Sequence, residues 1–378
     1  MVTGRGRKAL IVALAIVALA LGLAACGGDD GGEAAPPAEP APAEPAPAEP
    51  PAEPAPAEPP AEEPAPAEPP AEEPAPAVES IKIALDFTPN TNHSGIYIAL
   101  ANGYFDEQGI AAEVIPYAFG TPPTSLLASG AADLAVGFPP DVAIQVAGGA
   151  DLKIVAEIIQ VNNAALVTLA DSPLTGPADF SGKKYGGYGT PHEAPVVSAI
   201  LSGAGVEPVF EEVILSTGAI EALTSGDVDF SAVYEGWSEI GAELAGSPLK
   251  TFPYKDYVDG YIFPDVVFVT SGELIASKAD ALRRALVALE QGYTFAAENP
   301  AEAAEILTAQ VPELGQSQEL VNRSADFRAP QYLDESGKWG CLREEQFTGA
   351  VDLLTNAGVI AESPAFADYA TNELLEGC

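Results

Sequence analysis

The run IALDFTPNTNHSGIYIAL, residues 83–100, brings Asp86, Phe87, Asn90, Asn92 and His93 into one short loop between a strand-like and a helix-like stretch. Three other segments carry similar chemistry: Phe138 with Pro139 and Pro140; Tyr188, Thr190, His192 and Glu193; and Tyr234, Glu235 and Trp237. Aromatic faces stack on flat rings, offset stacking adding about 0.5–1.5 kcal/mol beyond burial. Amides and imidazoles offer donors and acceptors in the plane of such a ring, and carboxylates accept from an amino group. These residue types suit a small, planar, neutral or weakly basic heteroaromatic. No arginine falls in the four segments, so a sulfonate, carboxylate or phosphate would meet mainly negative charge there.

Other chemistries fit less well. His93, His192, Asp86 and Glu193 could supply ligands to zinc. They lack a helical i, i+4 spacing, however, and aromatics outnumber them, so neither metal nor cofactor is expected. Ser94 sits beside His93, but chain neighbours rarely face one another and no G-x-S-x-G turn is present. No catalytic residue is assigned. GGYGTPHE places glycines near a helix start, where a phosphate could rest, yet lacks the full fingerprint.

The elements that must position these loops alternate between strand and helix after residue 80, the pattern of an α/β protein with helices on both faces of its sheets. SIKIALDF, AAEVIPYA and ADLAVGF form one set of strands, KKYGGY, PVFEEVIL and VDFSAVY a second, and DVVFVTS a late strand. LLASGAADLAVGFPP (126–140) and ALTSGDVDFSAVYEG (222–236) echo each other. Each ends a helix at Ser-Gly, leaves a two-residue gap before Asp133 or Asp229, continues as a buried strand and finishes on an aromatic. Ligands of open α/β sheets bind beyond the carboxyl ends of strands, which puts the four segments at strand ends, two in each half. The expectation is two lobes, each a sheet flanked by helices. Residues 79–168 and 271–378 form the first, completed by helices near 278–300, 301–310, 316–327 and 343–357; residues 169–270 form the second. Leu166–Asp171 and Val266–Ser271 are read as the crossings, a hinge that allows closure on a ligand.

At the N-terminus, Arg5, Arg7 and Lys8 precede the apolar run ALIVALAIVALALGLAA, which leads into LAAC, Leu23–Cys26. The pattern is that of a bacterial lipoprotein, with a signal peptide over 1–25 and lipidation on Cys26. An uncleaved anchor helix is the alternative, since the run approaches a membrane span in length. Residues 26–78 are dominated by Pro, Ala and Glu and cannot build a core. They read as a disordered, polyproline-like stalk, reaching up to roughly 150 Å at about 3.1 Å per residue. The formal charge is −39; 13 acids lie in the stalk and three bases before it, leaving 42 acids against 13 bases beyond, near −29. Nucleic acid and anionic membrane are disfavoured as partners, so the membrane is reached only through the lipid, on the outer side of the cell envelope. Cys341 and Cys378 remain, either as a disulfide holding the C-terminal tail or as two free thiols.

LDFTPNTNHSGIYIALANGYFDEQGI, with LLASGAADLAV and YEGW, resembles the solute-binding proteins of ABC importers in the thiamine-pyrimidine-precursor and riboflavin branch. That group shares its fold with a pyrimidine-synthesising enzyme of thiamine biosynthesis. The resemblance covers about residues 80–360 and implies a two-lobed, type II periplasmic-binding-protein-like fold. It further implies a monomer that captures a vitamin or its precursor for a permease and ATPase. By motif, Phe87, Asn90, Asn92 and His93 would line the first lobe's wall, and Glu193 with Tyr234, Glu235 and Trp237 the second's. Phe87 stands where the branch commonly has tryptophan, and the enzyme's cysteine-rich segment is missing. A same-fold receptor for a sulfonate, nitrate or other small solute, and an exported pyrimidine-forming enzyme, are the alternatives.

Overall fold

The computed structural model describes residues 78–378, apart from 119, 217 and 259–262. The expected signal peptide 1–25, Cys26 and all but the last residue of the stalk 26–78 lie outside the described residues.

Among the described residues, ten strands form two sheets: β1 (Glu79–Ala84), β2 (Ile110–Ile115), β3 (Leu134–Gly137), β4 (Lys153–Glu157), β5 (Ala164–Leu169), β6 (Lys183–Gly187), β7 (Phe210–Ile214), β8 (Phe230–Tyr234), β9 (Leu249–Pro253) and β10 (Val267–Thr270). The first sheet has the order β2-β1-β3-β10-β4 and the second β7-β6-β8-β5-β9. The two orders correspond strand for strand. β1 and β6 run parallel to both of their neighbours, whereas β10 and β5 are antiparallel to theirs. Helices pack around both sheets, giving the expected two-lobed α/β architecture.

The lobe boundaries differ from the expected ones. β5 lies in the second sheet and β10 in the first, so the chain crosses between β4 and β5 and again between β9 and β10. Leu166–Asp171 and Val266–Ser271 are therefore parts of strands and their ends, not crossings. Both strands are buried almost throughout, and a continuous apolar run carries no alternation to say which sheet it joins. β4 and β9 are strands beyond those expected.

Side-chain alternation builds the core from both faces of each strand. In β10, Phe268 faces a cluster with Ile81, Ile83, Tyr293 and Trp339, while Val267 and Val269 face one with Val142, Phe347 and Leu354. In β5, Leu166 and Val167 divide in the same way between two clusters. The internal repeat has a mechanical role. Gly130 (φ 71°) and Gly226 (φ 78°) end their helices in the left-handed region. Asp133 and Asp229 then bracket the start of the neighbouring strand: each N–H donates to the carbonyl of Lys82 or Lys184 at 2.9 Å. Each carboxylate in turn accepts that lysine's N–H, also at 2.9 Å.

The helical run Gly272–Glu298 breaks at Lys278 (φ −132°, ψ 24°), where the expected helix begins; the turn before it is capped by the Ser271 hydroxyl on the Leu274 N–H. It crosses the helix Ser94–Ala101 at two glycines. A Cβ on Gly292 would lie 2.1 Å from the Gly95 carbonyl oxygen, and one on Gly95 would lie 2.3 Å from the Tyr293 ring. Because the obstructing atom is backbone, Gly292→Ala forces the helices apart. We expect a loss of about 3 kcal/mol, read as a melting point roughly 5 °C lower for a domain of this size. An unchanged melting point would show that the crossing can relax.

Cys341 and Cys378 are disulfide-bonded, with Cα atoms 5.4 Å apart. The tail they secure lies along β4, with bridges from Gly340 to Glu157 and from Ala370 to Ile154, and so covers a sheet edge. Among the described residues, no helix is long and apolar enough to cross a membrane.

Candidate functional site

The loop after β1 is built by its own hydrogen bonds. Pro89 leads into a single 3₁₀ turn, Thr91–His93, capped by Asn90, whose Oδ1 accepts the Asn92 N–H at 2.8 Å. Asn90 Nδ2 donates to the Thr88 carbonyl. His93 is fully buried. Its Nδ1 accepts the Asn90 N–H at 3.2 Å. A backbone N–H can only donate, so the ring proton is on Nε2 and is given to Asp86 Oδ1 at 2.8 Å. Tyr332 and Tyr293 hold the turn from behind by donating to the carbonyls of Thr91 and Asn92. His93 and Asn90 have thus spent their polar atoms inside the loop. They position Asp86 and Phe87 and do not line the cleft wall as expected. Asn92 Oδ1, by contrast, is buried without a partner.

The loop after β6 corrects a second expectation. Both oxygens of Glu193 accept the Tyr188 N–H at 3.0 Å, and Oε2 also accepts the Thr190 N–H at 2.9 Å. The carboxylate closes the Gly-rich loop upon itself at the start of the helix Glu193–Gly203 and is not available for a ligand amine.

The two lobes touch through residues from corresponding strand ends. Phe138, at the end of β3, stacks on Tyr234, at the end of β8, with centroids 5.7 Å apart and planes 19° apart. These are the matching aromatics of the internal repeat, and their contact leaves no room for a ring between them. Pro139 is buried at the first position of the helix Pro139–Ala147, which presents Asp141. His192 Nδ1 donates to Asp141 Oδ1 at 2.7 Å and lies 3.0 Å from the Thr190 hydroxyl. Trp237 packs against the core cluster of the first lobe. It follows Gly236, which has φ 84° and is closed against by the Phe327 ring.

Phe87 and Tyr188 keep exposed faces, 43% and 42%. Tyr117, just beyond β2, contacts Phe87 with centroids 5.6 Å apart. Burial and the Asp86 charge both push the Tyr117 phenol up; in the other lobe burial raises the Tyr188 phenol, with Glu193, Glu221 and Tyr117 adding smaller contributions. Phe87 and Tyr117 thus meet beside Asp86. Reading the sequence missed Tyr117 because it was taken as the tail of a strand. It also missed Arg328, fully buried on the helix Gln318–Arg328, whose Nη2 donates to the Glu235 carbonyl at 3.1 Å. Its position, some 90 residues along the chain from that loop, leaves no local signal. Burial first, then Glu239, pushes the Glu235 carboxyl up, with Lys255 and Arg328 opposing. His93 with Asp86 and His192 with Asp141 form separate pairs, and among the described residues no three His, Cys, Asp or Glu side chains are grouped to hold a metal ion.

His192 supplies a pH dependence. Burial alone would lower its pKa, but the Asp141 charge, the hydrogen bond to it and Glu193 outweigh that and raise it above the ordinary 6.5. The contact's contribution to holding the lobes together is complete below that ordinary value and is lost as pH rises through the raised one. With two histidines in the chain, an NMR titration resolves the group. Asp141→Asn should move the His192 midpoint below the ordinary value, because burial then acts almost unopposed. An unmoved midpoint would mean that the pair does not form in solution.

Two like-ordered sheets, joined by two crossings and meeting at their strand tips, define a protein of the two-lobed periplasmic-binding-protein class. The chain belongs to the NMT1/THI5 like family, whose model matches residues 90–303. It is 26% identical over 307 residues to a formylaminopyrimidine-binding protein of Halalkalibacterium halodurans, covering 79% of this chain and 92% of that one. It is 27% identical over 303 residues to a putative thiamine biosynthesis protein of Haemophilus influenzae, covering 78% and 92%. Among solved structures, the alkanesulfonate-binding protein from Xanthomonas axonopodis pv. citri bound to MOPS shares the fold, with a TM-score of 0.62, 17% identity and coverage of 79% and 99%.

Proposed function

We propose that the protein is the extracytoplasmic solute receptor of an ABC importer, and that it holds a small planar pyrimidine of the thiamine-precursor kind between its lobes. One observation carries the reading: part-exposed Phe87 packs on Tyr117 beside the Asp86 carboxylate, and part-exposed Tyr188 stands at the corresponding strand end of the other lobe. In this reading those rings stack on the pyrimidine, and Asn92 Oδ1 with Asp86 accepts from its amino groups. Phe138, Pro139, Tyr234 and Trp237 close the far wall, while Glu193, Thr190, Asn90 and His93 hold the loops in shape. The name of the Halalkalibacterium relative points to the same ligand class. The protein acts as a carrier and not as an enzyme; Cys26 carries the lipid, the stalk spaces the receptor from the membrane, and a permease and ATPase take the ligand from a monomeric receptor.

The test is a titration of intrinsic fluorescence, with Trp339 buried and Trp237 part-buried against the lobe contact. A formylaminopyrimidine should quench with micromolar affinity, about 8 kcal/mol of binding, and Trp237→Phe should remove the response. A response to alkanesulfonates with none to the pyrimidine would sink the ligand assignment. Preference for riboflavin would move it to the flavin side of the branch, and product accumulating from bound pyrimidine would make the protein an enzyme.

A further inference from the structure

Where the two crossings meet the C-terminal segments, a groove of about 500 Å³ is lined by Gln160, Val161, Lys255, Pro330, Leu333 and Arg343, among others. It shares no residue with the strand-tip loops. Gln160 is 6% exposed, and its Nε2 has no hydrogen-bond partner. A buried amide N–H without an acceptor is unfavourable, and native structures ordinarily satisfy it. The other end of the amide is engaged: Oε1 accepts from Arg343 Nη2 at 3.3 Å, and Arg343 Nε donates to Gln346 Oε1 at 2.8 Å. Both bonds join the guanidinium to neutral amides, and its charge also acts on the Glu157 and Asp334 carboxyls nearby. Lys255 adds a second cation from the segment after β9. In a chain of formal charge −39, two cations around a buried, unsatisfied N–H form an uncommon local environment.

The remaining lining sets the kind of occupant. Val161, 44% exposed, with Pro330 and Leu333 offers an apolar wall. Asp334 also borders the groove, but its Oδ1 is taken by the N–H groups of Ser336 and Lys338 and by the Ser336 hydroxyl. Glu335 adds an exposed negative charge, which disfavours a dianion such as phosphate. We propose that this groove is a second ligand site, for a small organic monocarboxylate with an apolar arm. One carboxylate oxygen takes the Gln160 N–H, the other faces Arg343 and Lys255, and the arm lies on Val161, Pro330 and Leu333. The inference stands apart from the pyrimidine reading of the cleft.

The experiment uses ligand-observed NMR and calorimetry on the folded protein with isovalerate, isovaleramide and inorganic phosphate at physiological ionic strength. Isovalerate should bind saturably, and its uncharged amide about tenfold more weakly or worse, as expected for charge-assisted hydrogen bonds. Gln160→Leu and Arg343→Gln should each weaken isovalerate by a similar factor. Lys255→Gln, an exposed change that leaves the fold intact, should weaken it less, and Trp237→Ala should leave it unchanged. Equal binding of acid and amide, absence of saturable binding, phosphate binding as tightly as isovalerate, or loss on Trp237→Ala alone would each overturn the assignment.

Discussion

Replacing Arg328 with alanine should destabilise the protein by about 3–5 kcal/mol, the range for removing one partner of a buried ion pair. Arg328 and Asp265 are both essentially inaccessible. The guanidinium reaches Asp265 Oδ2 at 3.4 Å, Gln331 Oε1 at 3.1 Å and the Glu235 carbonyl at 3.1 Å. Burial pushes the Asp265 carboxyl up, Arg328 and Asn163 hold it down, and it settles at about 6. An acid raised in the folded state costs stability as pH rises from its unfolded value to its folded one. In the wild type that window runs from the ordinary 3.8 to about 6; without Arg328 it extends upward. Urea unfolding of Arg328→Ala should therefore show a deficit that widens from pH 5 to pH 8, and Arg328→Met with Asp265→Leu should recover most of it. A single variant within about 1 kcal/mol of wild type at pH 8 would mean that water or local opening already solvates Asp265. Because the Glu235 carbonyl belongs to the other lobe, the same variant should also bind ligand more weakly.

Glu157 has a pH dependence of the same sign, but here removing the titrating group should stabilise the protein. It is fully buried, and only the Arg343 backbone N–H and charge work against that burial. Burial pushes its carboxyl from 4.5 to about 8, despite the nearby Arg343 charge. The folded protein keeps this proton while the unfolded chain releases it, so stability is lost as pH rises from about 4.5 to about 8. Each unit within that window costs about 1.4 kcal/mol. Glu157→Met keeps the volume and removes the titration. The variant should match wild type near pH 4.5 and exceed it by roughly 3 kcal/mol at pH 7. Unfolding measured at pH 4.5, 6 and 7.5 checks this, and parallel stability curves would show that the carboxyl is solvated in the folded state.

His93 and Tyr117 show how far the candidate site was legible in advance. The residue types of the loop after β1 marked it as a candidate at a strand end, but not who does what there. An imidazole in a polar loop looks the same on paper whether it faces a ligand or buttresses a carboxylate. Only the Asn90 N–H on one side of the ring and Asp86 on the other separate the two roles. Tyr117 and Arg328 enter the site from elements whose ends, or whose fold-back onto the cleft, have no local signature.

What the sequence determined by itself was whatever short-range periodicity and turn chemistry encode. The alternation of strands and helices, the paired Ser-Gly-x-x-Asp brackets and the four loops at strand tips all depend on residues a few positions apart, where backbone geometry links type to conformation. The tertiary structure alone decided which sheet received β5 and β10, which histidine nitrogen carries its proton, and how Phe138 meets Tyr234 and Arg328 meets Asp265. Those outcomes rest on packing and charge contacts between segments far apart in the chain, whose strength comes from exclusion of water that no local window reports.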